Sequence, residues 1–151
     1  MAQQNMILTL DGGDVTIRLR DDLAPKHTAR IAELVKSGFY DGLNFHRVID
    51  GFVAQGGCPD GNGMGGSGQN IEAEFNAEPH KRGICSMARS SNPNSADSQF
   101  FICLDAVPYL DNQYTVWGEV TDGIEHVDAL PKGEPPRSPG VIKSARIEDA
   151  A

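Results

Sequence analysis

The stretch Phe45-His46-Arg47-Val48-Ile49-Asp50-Gly51-Phe52-Val53-Ala54-Gln55-Gly56-Gly57 decides how this chain is read. From Phe45 to Phe52 its composition is strand-like, rich in aromatic and β-branched residues. Positions 47, 53 and 55 share parity, so a regular strand puts Arg47, Val53 and Gln55 on one face and Phe52 on the other. Gly51 can supply the bulge or kink that turns Phe52 back toward Arg47. Standing alone, the segment would be read as a surface cation followed by an ordinary core aromatic.

Upstream, Ile7–Leu10 and the alternating Val15, Ile17 and Leu19 flank the turn cluster Asp11-Gly12-Gly13-Asp14, which predicts a hairpin. Pro25 stands near a first helical position. Ala24, Ile31, Leu34 and Val35 then form an apolar stripe that Gly38 should end, giving a short helix of about three turns. Downstream, Gly56 to Gly68 must be a loop. Gly83–Met87, Ser98–Leu104, Tyr114–Val120 and Val141–Ile147 are strand candidates, and Asp122–Leu130 is a second short helix with Asp122 as its cap. Many short strands and two short helices predict an all-β barrel or sandwich whose open ends the helices cover. There is no internal repeat and no linker, so residues 1–151 form one domain.

Composition narrows the function. The 151 residues hold 13 Lys and Arg against 21 Asp and Glu, a net charge of −8. Such a surface repels phosphate backbones and anionic lipid, which argues against nucleic-acid and membrane partners. No apolar run reaches the ~20 residues of a membrane span, and the N-terminus lacks a secretory pattern. Cys58, Cys85 and Cys103 are an odd set without C-x-x-C spacing, as expected of reduced thiols in a cytoplasmic chain. Cys85 and Cys103 read as buried strand residues, while Cys58 lies in the glycine-rich loop and is open to exposure.

Several chemistries fit poorly. The run from Gly56 to Gly66 lacks the Lys-Ser/Thr ending and the following helix of a phosphate cradle. His27, His46, His80 and His126 have no partners at metal-ligand spacing. The serines at 86, 90, 91, 95 and 98 show no nucleophile elbow and no identifiable histidine base. Glu72 and Glu74 read as two solvated carboxylates.

What remains is a groove. Gln99 and Phe101 share one face of the Ser98–Leu104 strand, and Leu110 adds an apolar anchor after Val107-Pro108. With Arg47 and Gln55 these give a fixed cation, amides and apolar walls, but no nucleophile.

The pattern Tyr40-x-x-Leu43-x-Phe45-His46-Arg47-Val48-Ile49-x-x-Phe52-Val53-x-Gln55-Gly56-Gly57 resembles the signature of the cyclophilin-type peptidyl-prolyl cis-trans isomerases. Gly61-Asn62-Gly63-Met64-Gly65-Gly66, Met87-Ala88-Arg89, Ser98-Gln99-Phe100-Phe101-Ile102, Tyr109-Leu110-Asp111 and Val116-Trp117-Gly118-Glu119-Val120 follow in the family's order. The resemblance covers essentially the whole chain and looks most like the prokaryotic branch. It implies a closed eight-stranded antiparallel barrel capped by two short α-helices. It also implies an isomerase of X-Pro bonds that assists protein folding on proline peptides and unfolded chains; bond rotation needs no cofactor or metal, and a monomer is the default expectation.

By the same resemblance, Arg47 matches the catalytic arginine and Gln55 its partner. Phe52, Val53, Phe101 and Leu110 match the proline pocket. Ala88, Arg89 and Ser90 match the stretch touching the peptide before the proline, and Gln99 a groove-lining amide. Tyr109 stands where many members have tryptophan, which implies weakened cyclosporin binding. Tyr114 stands where many have histidine, and Val53 where methionine is common. A non-catalytic module holding proline peptides in the same groove is the alternative function; a pure binder, however, needs no transition-state donor, so the presence of both Arg47 and Gln55 favours the enzyme.

Overall fold

The computed structural model describes residues 4–61, 65–133 and 136–149. Eight antiparallel strands form one sheet: β1 (Gln4–Thr9), β2 (Asp14–Leu19), β3 (Arg47–Ile49), β4 (Val53–Gly56), β5 (Ile84–Met87), β6 (Phe100–Cys103), β7 (Val116–Asp122) and β8 (Ser144–Asp149), in the order β3-β4-β6-β5-β7-β2-β1-β8. The edge strands β3 and β8 do not pair with each other. The segments just before them do: Gly42 N donates to Ile142 O at 2.7 Å, Ile142 N to Leu43 O at 2.8 Å and Phe45 N to Gly140 O at 2.9 Å. These bonds join the two edges of the sheet, leaving fewer exposed donors and acceptors there. They also explain why the last strand starts at Ser144 rather than at Val141.

Side-chain alternation divides the apolar residues into two clusters. Phe100, Ile102, Cys85, Met87, Ala54 and Trp117 point into the main core with residues of both helices. Phe101, Cys103, Ile84, Val53 and Val116 point the other way and build a smaller cluster with Val107 and Leu110. In the main core Phe100 meets Tyr40, Phe45 and Trp117 edge-to-face at 5.6, 6.2 and 5.9 Å, a geometry that adds ~0.5–1.5 kcal/mol per pair beyond burial. Tyr40 Oη also donates to Ser98 O at 2.9 Å. The smaller cluster supports the functional face.

Helix α1 (Pro25–Lys36) buries His27, Thr28, Ile31, Leu34 and Val35. It ends as Gly38 predicts: at φ 81°, Gly38 N donates to Val35 O at 3.1 Å, and Phe39 N reaches Leu34 O at 3.0 Å. Its beginning has no local cap, because Ala24 precedes it. The carboxylate of Glu74 caps it instead, accepting from Lys26 N at 3.2 Å and His27 N at 2.8 Å. Oε1, the oxygen that accepts from His27 N, also lies 2.8 Å from His27 Nδ1. Glu74 is therefore structural, in contrast to the solvated role its spacing with Glu72 suggested.

Two local expectations change. Phe45–Phe52 is not one strand: β3 ends at Ile49, Asp50-Gly51 make a turn with Gly51 at φ 71°, and β4 begins at Val53. Helix α2 (Ile124–Asp128) is capped by Gly123 at φ 87° rather than by Asp122, which is the last residue of β7. Gly123 lies so close to the Asp14 carbonyl that a Cβ could not fit, so the chain must reverse there without a side chain.

Candidate active site

The β3–β4 hairpin sets Arg47 directly opposite Gln55, and the β4–β6 pairing sets Gln55 opposite Phe101. Arg47 and Gln55, which sequence parity placed on a common face, thus stand side by side on the outer surface of the sheet, and the fold adds Phe101 beside them. Arg47 Nη1 donates to Gln55 Oε1 at 3.4 Å, Gln55 Nε2 to Gln99 Oε1 at 3.1 Å, and Gln99 Nε2 to Gly65 O at 3.0 Å. This head-to-tail chain fixes which end of each amide faces which neighbour. Arg47 is also held from below: its guanidinium carbon lies 5.5 Å from the centre of the Phe52 ring. The turn at Asp50-Gly51, rather than a bulge within a strand, brings Phe52 to that place.

Beside the guanidinium lies a cavity of about 170 Å³, lined by Arg47, Phe52, Val53, Gln55, Ala88, Arg89, Phe101, Leu110 and Tyr114. Its floor and walls belong largely to the smaller apolar cluster: Val53, Phe101 and Leu110 are buried, with Phe52, Ala88 and Tyr114 packed against them. Tyr114 meets Phe101 edge-to-face at 5.4 Å. Tyr109 stands at the rim, 70% exposed and stacked on Phe52 at 6.3 Å. A second cavity of about 350 Å³, lined mainly by polar side chains and glycines, adjoins the first through shared Gln55, Ala88 and Arg89. It adds Ser90, Gln99 and Asp97. All eleven residues singled out from the sequence for catalysis or binding line one or both of these cavities.

The glycine-rich loop is tied to the second cavity. Asp97 accepts from Ser67 N at 2.7 Å, Ser67 Oγ at 2.5 Å and Gly68 N at 3.1 Å. Gly57, at φ 91°, runs so near Ser98 that an added Cβ would sit 2.5 Å from its carbonyl oxygen. Cys58 is buried, not exposed, and its sulfur accepts from Gly65 N at 3.2 Å. Asn62, Gly63 and Met64 of the quoted glycine motif lie outside the described residues.

A buried support behind the pocket wall was not legible in the sequence. His80 Nδ1 lies 3.0 Å from Asp111 Oδ1 and Nε2 3.0 Å from Ser86 Oγ, while the ring stacks on Phe101 at 6.1 Å. The expectation that these serines lack a histidine partner is thus wrong for Ser86. Because Ser86 is fully buried, its hydroxyl braces the wall and is not placed to attack a substrate. Desolvation holds the His80 pKa below the ordinary histidine value, against the opposing pull of Asp111. The only sequence signal for this link was a histidine and a serine six positions apart.

What the arrangement offers is a cation held at the edge of an apolar socket, with directional amides beside it. Among the described residues no serine, threonine or cysteine nucleophile lines the socket. It suits a reaction in which a lone pair must be met by a donor while a ring is gripped.

The family model described as "Cyclophilin type peptidyl-prolyl cis-trans isomerase/CLD" matches residues 5–150. A probable peptidyl-prolyl cis-trans isomerase of Brucella suis is 48% identical over 154 residues, covering 94% of this chain and 78% of the relative. Peptidyl-prolyl cis-trans isomerase B of Bacillus subtilis is 41% identical over 140 residues, covering 91% and 93%. A crystal structure of a Cryptosporidium parvum cyclophilin-type isomerase superposes with a TM-score of 0.91 at 32% identity, covering 99% of each chain. The same protein crystallised in the presence of the dipeptide Ala-Pro gives 0.89 at 32% identity, covering 97% of this chain and 99% of the other.

Proposed function

The chain belongs to the cyclophilin-type peptidyl-prolyl cis-trans isomerases, and from that premise we propose that Arg47 is the group that meets the twisting bond. Rotation about an X-Pro bond breaks no covalent bond; what resists it is amide resonance, worth ~18–20 kcal/mol. A barrier of ~20 kcal/mol allows roughly 0.01 turnovers per second, and ~10 per second needs only ~4 kcal/mol less. A hydrogen bond from a charged donor contributes ~1.5–3 kcal/mol, and an apolar site that disfavours the charge-separated planar amide supplies more. The chemistry requires neither metal nor cofactor.

At the midpoint of rotation, conjugation is lost, the prolyl nitrogen becomes pyramidal and its lone pair can accept a hydrogen bond. Neither planar ground state offers that acceptor, so a donation from Arg47 favours the transition state alone. Gln55 holds the guanidinium. Phe52, Val53, Phe101 and Leu110 grip the ring while the preceding carbonyl swings round. Ala88, Arg89 and Ser90 contact the peptide before the proline, and Gln99 and Tyr114 line the groove beside it. The observation that carries this reading is the side-by-side placement of the Arg47–Gln55–Gln99 chain and an apolar socket.

The substrates are X-Pro bonds in flexible or unfolded chains, whose isomerisation otherwise takes tens of seconds and limits folding. The burial of all three thiols, Cys58, Cys85 and Cys103, suits a reducing, cytoplasmic compartment. A phenol at position 109 offers a macrocycle less apolar surface than an indole, which supports weak cyclosporin binding. The test is exchange NMR on an acetylated Ala-Ala-Pro-Phe peptide. Arg47→Ala should lower kcat/KM by roughly 10- to 150-fold, the range of one charged hydrogen bond. An unchanged value would remove Arg47 from the role.

A further inference from the structure

Arg89 is the second arginine of the groove, and its surroundings differ from those of every acid-paired arginine in the structure. Its guanidinium is pinned by backbone carbonyls: Nε and Nη2 donate to Gln113 O at 2.9 and 2.7 Å, and Nη1 to Ser90 O at 2.9 Å. Aromatic rings flank it, Tyr114 at 4.9 Å and Phe75 at 5.7 Å. Among the described residues no carboxylate stands within ion-pair distance of it, whereas Arg82 has one and Arg20 and Arg146 have two each. In a chain of net charge −8, a half-buried cation fixed in place without a counter-ion is conspicuous. Its position is equally specific: it lines both cavities, at the seam where a peptide leaving the proline socket must enter the polar one.

Asp97 is the opposing charge on the polar cavity, but its oxygens already accept three hydrogen bonds from Ser67 and Gly68. Arg30 Nη2 in turn donates to Ser67 Oγ at 3.0 Å, placing a cation behind that cluster. The unmatched charge at the seam is therefore positive. Because carbonyls and rings hold the guanidinium in advance, a ligand carboxylate would meet it without the entropy cost of ordering a free side chain.

We propose that Arg89 is a specificity-determining residue that selects substrates carrying an acidic side chain in the two positions before the proline. The inference rests on the assignment of the groove to proline peptides. It adds a substrate class: acidic X-Pro segments rather than X-Pro segments in general. Discrimination should be strongest at low ionic strength, because a half-exposed charge is screened by salt.

The test compares acetylated peptides that differ only in Glu, Gln or Lys at each of those two positions, by exchange NMR at low salt. The native chain should turn over the better Glu peptide roughly tenfold faster in kcat/KM than its Gln isostere, a difference of about 1.4 kcal/mol. In Arg89→Gln that Glu-to-Gln ratio should fall to near one, and Arg89→Lys should keep part of it. Reading the ratio within each variant separates charge selection from any general loss of activity. A native ratio below about two, a preference for Lys, or a ratio that Arg89→Gln leaves in place would overturn the proposal while leaving the groove assignment intact. Failure of the native chain to accelerate any of the peptides would overturn the groove assignment and the proposal together.

Discussion

Replacing Gln55 by alanine probes how the cation is held. The side chain accepts from Arg47 Nη1 at 3.4 Å and donates to Gln99 at 3.1 Å, while Arg47 keeps its place over Phe52. A bond from a charged donor normally contributes ~1.5–3 kcal/mol; a length of 3.4 Å places this one at or below the lower end of that range, about 1–1.5 kcal/mol. If all of it orients the guanidinium in the transition state, kcat falls roughly five- to tenfold. KM should move less than about twofold, because the apolar walls are untouched. The lost Gln55–Gln99 bond costs ~1 kcal/mol of stability, or about 2–4 °C in Tm for a domain of this size. The decisive measurement is a double-mutant cycle by exchange NMR on the Ala-Pro peptide. If Gln55 acts through Arg47, Arg47→Ala with Gln55→Ala should be no slower than Arg47→Ala alone. Two losses that simply multiply, or an unchanged kcat in Gln55→Ala, would refute the positioning role.

Two further outcomes follow from the fold. His27, His46 and His80 all have pKa values below the ordinary histidine value of 6.5, chiefly through desolvation. A depressed folded pKa means that the unfolded chain takes up the proton first. These groups thus contribute stability that is complete above about pH 6.5 and is lost as the pH falls below it. Urea midpoints should drop steadily from pH 7.5 to 5.0, and a flat profile would contradict the burial of these rings. Burial alone would raise the Glu74 pKa, but bonds from the His27 ring and from the His27 and Lys26 amides outweigh it and bring it below the usual carboxylate value. Glu74→Ala should lower stability by ~2 kcal/mol or more in urea unfolding, the sum of a lost helix cap and an unpaired buried imidazole. A loss under about 0.5 kcal/mol would show that α1 needs no cap from this loop.

The first helix was legible from residues that act locally. Pro25 favours a helical start, and Gly38 closes the last turn at positive φ without steric cost; both effects lie within a few positions along the chain. The alternation in Val15, Ile17 and Leu19 likewise fixed which face of β2 is buried, because the strand period is two. The signature from Tyr40 to Gly57 carried the family, and parity alone put Arg47, Val53 and Gln55 on one face. The turn at Asp50-Gly51 was missed because a glycine within apolar residues fits a bulge and a hairpin equally well.

Tertiary structure decided whatever depends on groups distant in sequence. Glu74 caps a helix 48 positions away, and His80 reaches Asp111 across 31; neither pairing leaves a periodic trace, so each carboxylate could as well have been a solvated charge. Gln99 meets Gln55 across 44 positions, which turns separate amides into a single chain. The joining of the sheet's edges through residues 42–45 and 140–142 is of the same kind. The sequence by itself determined the strand faces, the family and the residues of the groove, since these follow from local geometry and a shared signature. The contacts that hold Arg47 and Arg89 came only with the fold, since hydrogen bonds need donors and acceptors within about 3 Å and the spacing of residues along the chain cannot set that distance.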